Sequence, residues 1–213
     1  MPPPRPLAEL AEAVSDGLEA ITADAVAQVD VRRINGDPNQ WRDEVANQGA
    51  NLLTLQRAAV ELAPRYVAAA MRAQRADPVT DAAVNTAAFV DFTDGGGSWL
   101  RNLVYAPPAT YQQAVAQGFA AQVAAMRGAY AARAIIENAL RDAHRSAVGT
   151  AMATTPAVKM WVRALRGTSC ARCAILAGRR YRVAAFARHP RCDCYMIPAA
   201  EDAPDSWTTD PHA

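Results

Sequence analysis

The chain has 213 residues, of which 51% are apolar and 20% charged, with a formal net charge of +1. That composition is ordinary for a soluble globular protein and excludes a low-complexity or collagen-like chain, and the length is enough to bury a sizeable core without disulfides. No run of about 18 apolar residues exists to span a membrane, and Met-Pro-Pro-Pro-Arg-Pro leads into no apolar stretch of signal length, so the expected compartment is cytoplasmic and reducing.

Leu7, Leu10, Val14, Leu18 and Ile21 recur at steps of three and four, which predicts a first helix with one apolar face. Pro6 falls in its first turn, where proline is tolerated. Asn35-Gly36-Asp37-Pro38 predicts a stop and a turn. A second helix is expected over 39–66, with Trp41, Val45, Leu52, Leu55 and Leu62 inward and Pro64 kinking or dividing it. Asp77-Pro78 marks another turn, and a third helix is expected over 80–92. Asp94-Gly95-Gly96-Gly97-Ser98 is the clearest break and reads as a hinge or loop. It lacks the lysine and the preceding strand of a phosphate-binding loop. A short element over 99–105 should close at Pro107-Pro108, followed by a helix over 110–128. A long helix is expected over 129–153, with Tyr130, Ile135, Ile136, Leu140, Ala147 and Met152 toward the core and Thr155-Pro156 ending it. Residues 158–166 form a short apolar-basic segment carrying Trp161, and after Gly167 the chain turns to small turns, cysteines and arginines. The expected fold class is mainly α. It comprises an N-terminal helical region over 1–94, a central helical region over 95–166, a small zinc-binding module of short strands and turns over 167–198, and a flexible acidic tail over 199–213.

All four cysteines lie within 25 residues, in the pattern Cys170-x2-Cys173, fifteen residues, then His189-x2-Cys192-x-Cys194. Clustered cysteines in a reducing compartment favour a metal over disulfides. Zinc takes four thiolate or imidazole ligands tetrahedrally, commonly from two short pairs that the fold brings together. Cys170 and Cys173 supply one pair; His189, Cys192 and Cys194 offer three candidates for the other, and the spacing leaves the choice open. Gly178 falls at a turn between two expected short strands near Leu176 and Tyr181, and Pro190 fixes the backbone before the second ligand group. A segment of roughly 30 residues cannot bury enough apolar area to fold alone, whereas a structural zinc ion supplies on the order of 10 kcal/mol. A disulfide-linked loop and a redox pair are the alternatives, and the latter lacks a preceding strand.

Charge is unevenly placed. Lys159, Arg163, Arg166, Arg172, Arg179, Arg180, Arg182, Arg188 and Arg191 follow one another with no acid between them, so nine of 22 basic residues share one segment and the remainder is net acidic. Such asymmetry fits an acidic partner, either nucleic acid or an acidic protein face, with Arg179, Arg180 and Arg182 the expected contacts. The simpler reading is a solvated surface. Tyr181, Phe186 and Tyr195 lie among the arginines and could stack on bases or form the module's small core. Lys159 is the only lysine in an alanine-rich chain, a bias of coding that weakens any argument from arginine in preference to lysine.

Ser169-Cys170-Ala171-Arg172-Cys173-Ala174-Ile175-Leu176-Ala177-Gly178, followed by His189-Pro190-Arg191-Cys192-Asp193-Cys194, resembles the C-terminal signature of phage Mu F-like minor head proteins, in the form found in phages of actinobacteria. Trp161 before the cysteines, the long helix through Arg133, Ala139 and Ala147, and the glycine-rich loop with Trp99-Leu100 are similar to the same proteins, so the resemblance covers roughly 95–198. Glu137-Asn138 stands where the family often has Thr-Glu, and no role is assigned to Glu137. The resemblance implies a virion component, present in the head near the portal and in the host cytoplasm during assembly, acting in head assembly or in DNA packaging and delivery. It implies the portal protein or capsid interior, and packaged DNA, as partners, with no membrane and no small-molecule substrate.

Two other classes compete with that reading: a capsid maturation protease and a nucleic-acid-binding zinc protein acting outside the virion. A protease needs a nucleophile, a base and an orienting group. The chain offers only His144, His189 and His212 as imidazole bases, and no His-Glu-x-x-His motif. His144 reads as a polar position on a helix surface, and no catalytic role is expected.

Overall fold

The computed structural model describes residues 5–34, 37–91, 97–165, 171–177, 179–182 and 194–200. Among them the chain is mainly helical, with five α-helices and a small C-terminal strand region.

Helix α1 (Arg5–Ala27) buries Leu7, Ala11, Leu18 and Ala25 along one face, with Leu10, Val14 and Ile21 packed at its margins. Helix α2 (Pro38–Ala73) starts where the turn signal ends: the Asp37 carboxylate accepts the Asn39 N–H at 2.8 Å and Pro38 occupies the first turn. It passes through Pro64 without dividing and runs seven residues, about two turns, beyond the expected end at 66. Trp41, Val45 and Leu52 are buried, while Leu55 and Leu62 are only half-buried.

The helix expected over 80–92 does not form. The described part of that stretch holds one 3-10 turn, Thr86–Phe89, with no fully buried residue. The Asp81 N–H donates instead to the Thr154 carbonyl at 2.7 Å, beyond the end of a later helix, and Val79 points to solvent. The glycine-rich loop is clasped at its base: the Ser98 hydroxyl donates to the Asp91 carboxylate at 2.7 Å, and Asp91 N–H and the Trp99 indole both donate to the buried Gln56 amide oxygen. The Gln56 amide nitrogen donates onward to Ala139 O. Residues 92–96, on which the expected hinge or loop falls, lie outside the described residues.

Helix α3 (Trp99–Ala116), N-capped by Ser98, runs through Pro107-Pro108, where a break was expected. A proline at 107 removes the N–H that would serve Leu103 O, and the Trp41 indole N–H supplies the missing donor at 2.8 Å. The helix ends at Gly118, whose φ of +83° suits glycine, in a Schellman closure: Phe119 N–H reaches Ala114 O and Gly118 N–H reaches Val115 O. That stop divides the helix expected over 110–128. Helix α4 (Ala121–Ala153) then begins eight residues before the expected start and buries Ile136, Leu140, Ala147 and Met152; Ile135 is half-buried and Tyr130 is exposed. At Gly128 a Cβ would meet Ile34 Cγ2 at 2.6 Å and Pro107 O at 3.1 Å, so the close approach of α3 and α4 depends on that glycine.

Strand β1 (Met160–Ala164) pairs antiparallel with β2 (Arg180–Tyr181) on one side and β3 (Tyr195–Ala199) on the other; between β1 and β2 lies the short helix α5 (Ala171–Leu176). Leu176, expected beside a strand, thus ends a helix. The outer edge of β3 is covered by side chains of the long helices. Arg145 donates to Cys194 O, Tyr66 to Met196 O and Gln74 to Pro198 O, at 3.3, 2.7 and 2.9 Å. These bonds occupy alternate carbonyls that would otherwise offer a pairing edge. Ala199 belongs to β3, and the Ala200 N–H donates to the Gln74 amide oxygen, so order continues past 199, the expected start of the tail; residues 201–213 lie outside the described set.

One core cluster joins α1, α2 and α4 to the sheet through Leu7, Val60, Tyr66, Ala147, Trp161 and Ile197. A second joins α1, α2, α3 and α4 through Val29, Trp41, Trp99, Leu103, Ile136 and Leu140. Both expected helical regions contribute to the second core, and the sheet rests on the first. No helix among the described residues is long and apolar enough to cross a membrane.

Candidate metal centre

The site is built on β1, α5 and the start of β3. Cys173 sits on α5 and Cys194 immediately precedes β3; both are almost wholly buried, at 2% and 1% exposure. Their sulfurs lie 3.4 Å apart. A disulfide needs about 2.05 Å, whereas two thiolates on a tetrahedral zinc with bonds of about 2.3 Å lie about 3.8 Å apart. The pair is therefore too far apart to be covalently linked and close enough to share an ion after a small adjustment. Leu165 packs over it.

Arg163 closes the site from below. Its position on β1 is opposite Met196, and its side chain is 2% exposed, with the guanidinium donating to Cys194 Sγ at 3.0 Å and reaching Cys173 Sγ at 3.9 Å. A buried guanidinium is costly unless anions face it. Thiolates are such anions, and a metal ligand must be deprotonated. Arg163 therefore does not belong to the exposed basic cluster in which the charge pattern placed it.

The two cysteines come from opposite halves of the motif, one from Cys170-x2-Cys173 and one from His189-x2-Cys192-x-Cys194. Cys170, His189 and Cys192 lie outside the described residues. Among the described residues no group of three or more metal-ligating side chains occurs.

Of the arginines expected to contact a partner, Arg179 and Arg182 are exposed and Arg180, on β2, is half-buried. Lys159 and Arg172 are also exposed, and Arg166, Arg188 and Arg191 lie outside the described residues. Tyr181 stacks on Trp161 with ring centroids 4.3 Å apart, and its hydroxyl donates to Leu176 O. Tyr195 packs against the same core cluster. Both rings thus serve the packing of the sheet; Phe186 lies outside the described residues.

His144 is buried and not on the helix surface. Its Nδ1 lies 2.8 Å from Ala59 O on α2; a carbonyl only accepts, so Nδ1 carries the proton and donates. Burial lowers its pKa to about 4, the Ala59 bond opposing and the neighbouring Arg145 charge adding to the effect. A neutral imidazole fixed to a carbonyl between two helices is a packing element. Arg163 was missed as a site residue because an arginine alternating with Val162 and Ala164 on a strand reads as the solvent-facing position, and its burial depends on the cysteines that the fold brings against it. Comparison with protein-family models, with curated proteins and with solved structures found no match.

Proposed function

We propose that the chain is a structural minor head protein of a tailed phage, held at its C-terminal end by one structural zinc ion and lacking catalytic activity. The observation that carries the metal part is the convergence of Cys173 and Cys194 against the buried Arg163 guanidinium. Cys173 and Cys194 would hold the ion together with two of Cys170, His189 and Cys192. The ion would supply cross-linking only, tying α5 to β3. The virion part rests on the resemblance of the Cys/His segment to Mu F-like head proteins, and the head interior or portal is then the compartment and partner.

In this reading the exposed cations Lys159, Arg172, Arg179 and Arg182 face an acidic partner, packaged DNA or a portal surface. The experiment is assembly of heads from the neighbouring head genes with this chain present, followed by mass spectrometry of purified particles. The wild-type chain is expected in the particles in few copies. The Arg179→Glu/Arg182→Glu variant, which spares the half-buried Arg180, is expected to be depleted while retaining its metal. Absence of the wild-type chain from purified heads, or a neighbourhood without a portal gene, overturns the virion assignment. A nucleic-acid-binding protein acting outside the virion is the second reading, supported by the same arginines. It predicts an affinity for free DNA whose logarithm falls linearly with log salt.

A further inference from the structure

We propose that the solvent face of α4 near its N-terminus is a docking surface for a helix of a partner protein that carries an apolar seam edged by acidic residues. Val123, Met126 and Tyr130 follow one another on α4 at steps of three and four, the spacing of a heptad seam, and Phe119 lies two residues before the helix starts. All four are exposed, Met126 at 66% and Tyr130 at 56%. Val123, Met126 and Tyr130 lie on the side of α4 away from Gly128, the residue at which α4 meets α3 and Ile34. Single exposed apolar residues are ordinary, but a row at heptad spacing on one helix presents a continuous strip to a neighbouring helix.

Charge selects the occupant. From Gly95 to Ile136 the chain has Arg101, Arg127 and Arg133 and no acid. Arg127 flanks the seam with its guanidinium 3.8 Å from the Phe119 ring centre, and the ion pairs found among the described residues do not include it. The seam ends at the Arg133–Glu137 ion pair, 2.6 Å long. A partner helix with glutamates or aspartates along its edge would neutralise Arg127 while covering Met126 and Tyr130. A second copy of this chain fits less well: two such faces laid antiparallel bring the two Arg127 side chains together with no acid of that stretch to offset them. The face is remote from the cysteine site, and the proposal stands whether or not the chain is a head protein.

The test uses the full chain and two synthetic helical peptides with the same leucine seam, one edged by glutamates and one by lysines. The glutamate peptide is expected to bind. Met126→Asp is expected to weaken that binding by at least about tenfold, and Arg127→Glu to reverse the preference toward the lysine peptide. Each variant should keep the helical circular dichroism of the wild type, since both positions are exposed. No binding of the glutamate peptide, equal binding of the two peptides, or binding that survives both substitutions overturns the proposal. So does self-association lost in Met126→Asp, or partition of the chain onto vesicles of anionic phospholipid that outcompetes the peptide; these would assign the face to a second copy or to a lipid surface.

Discussion

Two buried cationic side-chain types sit within this fold, and each is settled by what it faces. Arg163 turns its guanidinium to two cysteine sulfurs. His144 gives its charge up because burial disfavours the imidazolium and Arg145 lies beside it, against the opposing pull of the Ala59 carbonyl. The folded-state pKa of His144 is about 4 against an ordinary 6.5. Below pH 6.5 the unfolded chain takes up a proton that the folded chain refuses until about pH 4. Stability therefore falls as pH drops through that window and levels off beneath it, by about 3 kcal/mol at about 1.4 kcal/mol per pH unit. Denaturant unfolding of the wild type and of His144→Gln between pH 7 and pH 4 measures this. The wild type is expected to lose stability more steeply across that range, and parallel pH dependences for the two proteins would show that His144 is not the group responsible.

At the scale of elements, long-range donors decide where helices run. Proline at 107 should stop a helix, yet α3 continues because the Trp41 indole bonds the carbonyl that Pro107 leaves unserved. A double-mutant cycle isolates this. Trp41→Phe removes the donor, leaving a buried carbonyl unpaired at a cost of about 1–3 kcal/mol. In a Pro107→Ala background the alanine N–H serves Leu103 O, so the same Trp41→Phe change should cost clearly less. Equal costs in both backgrounds would disprove the compensation. The example also shows why some of the fold was legible in sequence and some was not. The faces of α1 and α4 and the start of α2 are written in local periodicity and capping, and Leu7, Leu18, Ile136, Leu140 and Asp37 behave as those patterns require. The continuity of α3 depends on a tryptophan far away in sequence, and the failure of the helix over 80–92 on bonds to Thr154 and Gln56; no local window contains either. In the candidate site, Cys173 and Cys194 were legible as ligand types from their spacing. That these two should meet, one from α5 and one from the start of β3, with an arginine of β1 beneath them, required the tertiary fold.

For the molecule as a whole, sheet and helices are joined by more than the connecting chain. Trp161 and Ile197 share a core cluster with Tyr66 and Ala147, and three helix side chains cover the outer edge of β3. The sheet thus has its own apolar support, and the proposed ion adds a cross-link between α5 and β3 on top of it. Loss of the ion should leave most helical signal intact while lowering overall stability, because binding to the folded state alone adds directly to folding free energy. The account turns on whether Cys173 and Cys194 are ligands of that ion. The most direct measurement is the zinc content of the full chain purified without added metal, set beside Cys173→Ser and Cys194→Ser purified in the same way. The wild type is expected to carry about one equivalent per chain and each variant to fall well below half of that. A folded wild type with less than about a tenth of an equivalent, or either variant retaining the full wild-type amount, would contradict the assignment.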